Sequence, residues 1–359
     1  MKYKIKDLIQ SISSKFNFDG KNSVIFLNTS DIYDGHISGT KIKPQNLPGQ
    51  AKKSLKNGDI LFSEIRPKNK RFAMVNNIKA ENYVVSTKLM VLRNCNPNIL
   101  DTSYFYFYLT SPIMLRYLQS EAESRSGTFP QITFEGTMAN IEINLPPLFE
   151  QKLIVRKIET ISSKIYVNNQ INDNLLELLD TRFKQFISSS KLTDTTLHNI
   201  AIIHSGGNKP KKFSKVKTNE YSVPVYSNGV SKKGLFGFTN KAKVNERAVT
   251  VSARGTIGFT VLHNKPFVPI VRLVYLTYKS VPINFLYLLV RSLNIQGYGS
   301  TQQQITVPYL RKLKIKIPDA NEINKFDAEN LSLFDLIWIK EKENILLFKI
   351  KENLLEKYF

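Results

Sequence analysis

Cysteine occurs once in 359 residues, at Cys95. A single thiol excludes an internal disulfide and a cysteine-rich zinc site, and it fits a reducing cytoplasm. Long hydrophobic runs are missing as well. Phe285 to Val290 is short, and Pro266 to Tyr278 is interrupted by Arg272, so neither reaches the roughly 18–20 apolar residues of a membrane span. Met1 to Phe16 alternates Lys with apolar residues and lacks the apolar core of a signal peptide. No membrane partner is expected. Acidic residues are scarce: 29 Asp+Glu stand against 51 Lys+Arg, a formal net charge of +22. A small domain needs a charge of roughly 2–8 for solubility, so the excess implies an anionic partner.

The excess is regional. Residues 1–147 hold 19 basic and 12 acidic residues, 148–190 hold 6 and 5, 191–319 hold 20 and 4, and 320–359 hold 6 and 8. Two basic regions therefore alternate with two near-neutral ones. The neutral ones read as long helices. Leu148 to Ile187 contains no Pro or Gly, and Ile154, Ile158, Ile161, Ile165, Leu175, Leu179, Phe183 and Phe186 recur mostly at steps of three and four. Glu322 to Tyr358 reads alike through Phe326, Leu333, Ile337, Leu347, Phe348, Leu355 and Tyr358. Runs of ~40 residues are ~60 Å long as helix, beyond the length of an ordinary surface helix.

Those helices belong to an internal repeat. A shift of 172 residues lays Pro146 on Pro318, Glu150 on Glu322, Ile165 on Ile337, Tyr166 on Trp338, Asn172 on Asn344 and Phe183 on Leu355. With one residue of slippage, Gln131-Ile132-Thr133 meets Gln304-Ile305-Thr306. A period this long points to a duplicated globular module plus helix, not a solenoid. Within the basic regions, Ser23–Asn28, Asp59–Ile65, Arg71–Val75 and Tyr83–Leu92 read as strands, then Ser103–Glu121 as a helix. In the second copy the strands are Val223–Tyr226, Ala248–Ser252, Ile257–Leu262 and Val271–Tyr278, and the helix is Ile283–Leu293. Ile141–Leu145 reads as an edge strand before the first long helix.

Catalytic motifs fail on inspection. Asn96-Pro97-Asn98-Ile99 lacks the second proline and the aromatic of a methyltransferase turn. Gly229 to Gly234 has the glycine spacing of a phosphate loop, but Leu235 and Phe236 stand where Lys and Ser/Thr are required. Asp319, Glu322 and Lys325 sit at a helix start, where the dipole favours acids. His36, His198, His204 and His263 are scattered, with no metal-ligand spacing. The chain reads as non-catalytic, with no cofactor or metal of its own. Its candidate DNA-binding residues are Arg66, Lys68, Lys70, Arg71, Arg125 and Thr128 in the first region. In the second they are Lys209, Lys211, Lys212, Lys215, Lys217, Lys232, Lys233, Arg254, Ser300, Thr301 and Gln302. Clustered lysines raise self-repulsion unless an anion offsets it, and Arg and Gln make bidentate contacts to guanine and adenine. Tyr104 to Tyr108 and Tyr287 read as helix core, not as stacking platforms.

Gly127-Thr128-Phe129-Pro130-Gln131-Ile132 followed by Ile141 to Val155, with the stretch Leu145-Pro146-Pro147-Leu148-Phe149-Glu150-Gln151-Lys152-Leu153-Ile154-Val155, resembles the entry into the central helix of type I restriction–modification specificity subunits. Gly58 to Ser63 and Ser252 to Gly258 are similar to that family's strand motifs, one per half. In the second half Pro-Pro becomes Pro318-Asp319 and Gln151 is matched by Ile323. The resemblance implies an α+β fold with a pseudo-twofold internal repeat. Two mixed, strand-rich target recognition domains, 1–147 and 191–319, are separated by two long antiparallel helices, 148–190 and 320–359. It implies a cytoplasmic, prokaryotic protein that reads a bipartite duplex DNA target. Its implied partners are two modification subunits, which use S-adenosylmethionine, and restriction subunits that translocate DNA. A stand-alone basic nucleic-acid binder is the alternative; apolar Leu153, Ile171, Ile339 and Ile345, outside the narrow stripe, favour partners.

An antiparallel seam would carry Ile161, Ile165, Asn172 and Leu175 on one helix, and Leu333, Ile337, Asn344 and Leu347 on the other. A seam asparagine costs stability but fixes register. Ile165 and Ile337 are expected close to the midpoint of that seam, near enough for a disulfide, which needs Cα atoms within ~7 Å. Crosslinking only between ends in parallel register would refute the seam.

Overall fold

The computed structural model describes residues 1–125, 128, 130–293, 295 and 304–359. They form two compact units, Met1–Val167 with Glu343–Phe359, and Asn168–Lys342. The long helices are therefore not separate bodies, because each contributes one half to each unit.

The strand order is the same in both units. In the first, the antiparallel sheet runs Ile9–Ser11, Leu89–Asn94, Ile60–Ser63, Phe72–Met74; in the second it runs Ala201–Ser205, Val274–Tyr278, Ala248–Val251, Thr260–His263. A second sheet, four-stranded in the first unit and three-stranded in the second, accompanies each and contains one parallel pair, Val24–Leu27 with Tyr83–Ser86 and Val223–Tyr226 with Val268–Pro269. Each region also closes on itself. Lys2–Lys4 pairs with Glu142–Asn144, and Thr193–Thr196 pairs with Lys314–Ile317, so the last strand before each long helix lies against the first strand of its own region. The 172-residue repeat is thus a repeat of topology.

The structure redraws several expected elements. Tyr83–Leu92 is two strands, Tyr83–Ser86 and Leu89–Asn94, in different sheets; the Lys88 amide donates to Ser86 Oγ at the turn between them. Polar Ser86-Thr87-Lys88 forms that turn, and the apolar residues on either side do not alternate because both strands are buried on both faces. Ser103–Glu121 is two helices, Thr102–Leu109 and Pro112–Arg125. They part where Pro112 has no amide hydrogen and Ser111 Oγ accepts from the Met114 amide. Val271–Tyr278 begins later, at Val274, since Val271 and Arg272 adopt left-handed backbone at φ 51° and 60°. Ser252 to Gly258 is no strand motif. It is the turn from Ala248–Val251 to Thr260–His263, and the counterpart of Ile60–Ser63 is Ala248–Val251.

The first long helix spans Leu148–Ser189 and the second Ala320–Tyr358. Buried positions recur at seven-residue steps, Ile158, Ile165, Asn172 and Leu179 on one and Ile323, Asn330, Ile337 and Asn344 on the other. That 3.5-residue period is the signature of supercoiled packing. Of the expected seam, Ile165, Asn172, Ile337 and Asn344 are buried, and Ile161, Leu175, Leu333 and Leu347 are half-buried. Within each unit the helix halves run antiparallel, but not in the expected register: Lys164, beside Ile165, faces Glu343, and Ile337 packs with Leu175 and Leu176, so Ile165 and Ile337 are not opposite each other. Lys164 pairs with Glu343 at 3.7 Å and Lys157 donates to the Tyr358 hydroxyl in the first. In the second, Arg182 donates to Asn330 Oδ1, and Phe186 stacks on Phe326 with centroids 4.5 Å apart. The first core takes Val155 and Ile158 from the helix, and the second takes Leu179 and Phe183. Tyr104, Phe105, Phe107 and Tyr287 are buried in these cores.

Gln151 anchors the first turn of the first long helix. Its side chain is fully buried, accepts from the Asp101 amide at 2.9 Å, and donates to the carbonyls of Ile99 and Pro146. It therefore ties the helix start to the cap of Thr102–Leu109. In the second unit Ile323 is purely apolar, and Asp327 instead accepts from the Phe285 amide at the start of Ile283–Ser292. Gln151→Leu leaves one amide and two carbonyls unpaired, an expected loss of about 2–3 kcal/mol. Amide exchange in peptides from 1–147 should accelerate by about thirtyfold or more, with peptides from 191–319 unchanged.

Candidate nucleic-acid interface

The sequence repeat Gln-Ile-Thr marks one equivalent site in each unit. In the first, the chain leaving strand Ile60–Ser63 pairs through Ile65 with Gln131, and the Ile132 amide donates to the Glu64 carbonyl at 2.8 Å. Gln131 Nε2 donates to Glu64 Oε2 at 3.4 Å, and Thr133 caps the next turn by accepting from the Gly136 amide. Burial raises the Glu64 carboxyl above its ordinary range, with Lys53 and Lys88 acting in the opposite sense. In the second unit the Ile305 amide donates to the Ala253 carbonyl, Arg254 Nη2 donates to Gln304 Oε1 at 3.0 Å, and Thr306 accepts from the Tyr309 amide. Both isoleucines are buried anchors, so each glutamine is held at a strand end beside an arginine.

Arg66 is that arginine in the first unit. Its backbone is left-handed at φ 47°, its amide donates to the Pro130 carbonyl, and its guanidinium donates to the Thr128 carbonyl at 3.4 Å. Arg125 donates to the Gly136 carbonyl on the same stretch. Arg66, Arg125 and Thr128 thus come together. The other first-region candidates are committed within the unit. Lys68 pairs with Glu123 at 3.1 Å, Lys70 with Asp34 at 3.4 Å, and Arg71 donates to the carbonyls of Ser30 and Ile32.

In the second unit Arg254 borders an open groove of about 610 Å³ with Ser227, Asn228, Gly229, Ser231 and Thr256. Asn228 fixes its walls by accepting from the Ala253 amide at 2.7 Å and donating to the Val271 carbonyl at 2.8 Å. Gly229 to Gly234, the failed phosphate-loop match, forms one lip. Gly234 has φ 81° and a Cβ there would meet the Ser227 carbonyl at 2.5 Å, so only glycine fits. Lys232 and Lys233 both have left-handed backbone, and Lys233 pairs with Glu341. Lys209, Lys211, Lys212, Lys215 and Lys217 are exposed on one segment that is stitched to strand Leu235–Thr239 by reciprocal Ser214–Phe238 amide bonds. The Lys209 ammonium sits 3.9 Å from the Phe213 ring centroid and that of Lys215 3.8 Å from Phe236. Such exposed cation–π contacts are worth about 0.5–1 kcal/mol each. Ser300, Thr301 and Gln302 lie outside the described residues.

Sequence reasoning left Asn228, Phe213, Phe236 and the two glutamines off the list of candidates. The repeated Gln-Ile-Thr was a legible signal for the glutamines. Asn228 before Gly229 had none beyond that of a turn. No group of three His, Cys, Asp or Glu side chains able to hold a metal occurs among the described residues, and no described helix is long and apolar enough to cross a membrane.

His263 is buried in the second unit. Its Nε2 is 2.8 Å from Thr250 Oγ1, and its ring packs on Tyr226 and Phe267 at 4.3 and 4.5 Å. Burial pushes its pKa down to about 3, assisted by the Lys233 charge.

A family model described as Type I restriction modification DNA specificity domain matches residues 1–177 and 190–347. The type I restriction enzyme HindI specificity subunit of Haemophilus influenzae is 40% identical over 185 residues, 51% of this chain and 40% of that protein. A putative type I specificity subunit of Mycoplasma pneumoniae, S.MpnORF507P, is 25% identical over 226 residues, 59% of this chain and 60% of that protein. The matches thus span less than two thirds of these relatives. The crystal structure of a type I restriction-modification system S subunit from M. genitalium has the same fold, with a TM-score of 0.51 at 16% identity over 100% of this chain and 96% of that one.

A histidine neutral in the folded state and protonated in the unfolded one makes stability fall as pH drops from about 6.5 towards 3. Urea unfolding followed at Trp338, the sole tryptophan, is predicted to show roughly 2 kcal/mol less stability at pH 5 than at pH 7 from this group. His263→Gln should remove that part of the pH dependence; an unchanged slope would place the proton elsewhere.

Proposed function

Because the chain belongs to the type I restriction modification DNA specificity family, we propose that it reads a bipartite duplex DNA target and directs separate modification and restriction subunits to it. The observation that carries this reading is the duplicated site. Each unit holds a glutamine beside an arginine at the same strand end, on a basic region, where Arg and Gln have the donor and acceptor geometry to read guanine and adenine edges. Phosphate contacts from the surrounding lysines supply affinity, and base contacts supply choice.

The long helices have a second task in this reading. Phe149, Leu153, Ile345, Leu346 and Phe348 in the first unit, and Leu331, Leu336 and Ile339 in the second, are large apolar side chains left exposed, Phe149 by 71% and Ile345 by 63%. Half-buried Ile171 adds less surface than its sequence position suggested. Apolar side chains gathered on two helices suit protein partners and favour a specificity subunit over a stand-alone nucleic-acid binder. Methyl transfer from S-adenosylmethionine belongs to the modification partners, two of which would match the two-fold repeat. Restriction and DNA translocation belong to a further partner.

The purified chain is expected to bind duplex DNA with an affinity that falls steeply with salt, by about 0.9 in the log–log slope per phosphate neutralised. It should transfer no labelled methyl group and cut no DNA until modification and restriction subunits are added. Methyl transfer by the isolated chain, or preference for single strands, would overturn the reading.

A further inference from the structure

The two units spend their cations differently. In the first, Lys68, Lys70 and Arg71 are held by Glu123, Asp34 and the carbonyls of Ser30 and Ile32. In the second, the segment carrying Lys209, Lys211, Lys212, Lys215 and Lys217 has no carboxylate within 4 Å of any of these five among the described residues. The segment is nevertheless ordered. Phe213 and Phe236 pack with centroids 5.4 Å apart, and each ring carries one ammonium on its face. Each lysine also reaches the other ring, at 6.0 and 5.7 Å. The Phe213 ring lies so close to the strand that a Cβ on Gly237 would meet it at 2.4 Å, and Thr239 Oγ1 donates to the Lys212 carbonyl.

We propose that the second unit is the electrostatic anchor of the molecule on duplex DNA, with Lys209 and Lys215 contacting backbone phosphates and Phe213 and Phe236 acting as positioning residues. This rests on the duplex-reading function proposed above. The physical reason is preorganisation. A free lysine loses rotamer entropy when it meets a phosphate, whereas an ammonium already seated on a ring has lost much of it. The ring face neutralises none of its charge, so the full cation remains for the phosphate and for counterion release. A carboxylate partner, as on Lys68 and Lys70, leaves a neutral pair that a phosphate must first break. Lys68 and Lys70 of the first unit would then add little salt-dependent affinity.

The test measures salt dependence of binding by the full chain to a fluorescein-labelled 30-base-pair duplex of mixed sequence. Lys209→Gln with Lys215→Gln is expected to lower the log–log slope by about 1.8, at 0.9 per phosphate contact. Lys68→Gln with Lys70→Gln removes the same two charges and should lower it by less than half as much. Phe213→Leu should weaken binding about threefold with the slope unchanged, the size of one exposed cation–π contact, and Phe213→Tyr should restore it. Equal slopes from the two lysine pairs would reduce the effect to net charge and overturn the proposal. So would an unchanged slope in the Lys209/Lys215 variant of a chain whose wild type binds steeply. A wild type that ignores duplex DNA would overturn the parent reading and this anchor with it.

Discussion

Burial of a seven-residue stripe along two helices that contain neither proline nor glycine is the constraint on which the rest of the structure depends. Each helix serves two cores, Val155 and Ile158 in one unit and Leu179 and Phe183 in the other. A helix of that length is not held by propensity, because most helical stability in proteins comes from packing of one face. Substituting a glycine or proline within the stripe would therefore disturb both units at once. The closing strand pairs, Lys2–Lys4 with Glu142–Asn144 and Thr193–Thr196 with Lys314–Ile317, decide where each helix leaves its globular region. Topology and helix length together convert one duplicated module into a chain with two similar sites.

The duplication is faithful in backbone and loose in chemistry. Both units keep the strand order, the parallel pair, the buried isoleucine and the threonine cap. Yet Gln151 is replaced by Ile323, with Asp327 taking a helix-start role, and Gln131 meets Glu64 where Gln304 meets Arg254. The scaffold positions the loops and the loops carry the contacts, so side chains can diverge while the backbone is kept.

The groove beside Arg254 shows how such a loop is stabilised. Asn228 bridges two segments that are 25 and 43 residues away in sequence, and left-handed backbone at Val271 and Arg272 bends the chain where β-branched and long side chains adopt it unwillingly. Backbone strain of this sort persists only when neighbours over-determine it, and it collects at functional loops. His263 is kept neutral by burial among Tyr226 and Phe267.

Much was settled by the sequence alone. The regional charge, the 172-residue repeat, the absence of helix breakers from 148 to 187, and the stretch from Leu145 to Val155 located the duplicated regions and the two long helices. Periodicity reports burial on one face, and charge counts report the partner's sign, so these features need no coordinates. What the tertiary structure decided was everything that depends on who faces whom. Ser86-Thr87-Lys88 interrupts the apolar residues from Tyr83 to Leu92, yet only the structure shows that the two parts fall in different sheets. Lys68, Lys70, Lys209 and Lys215 are indistinguishable as letters, yet two meet carboxylates and two meet aromatic rings. Glu123, Asp34 and Phe236 stand 55, 36 and 21 residues from the lysines they hold. Folding brought them together, and a linear sequence carries no measure of that distance.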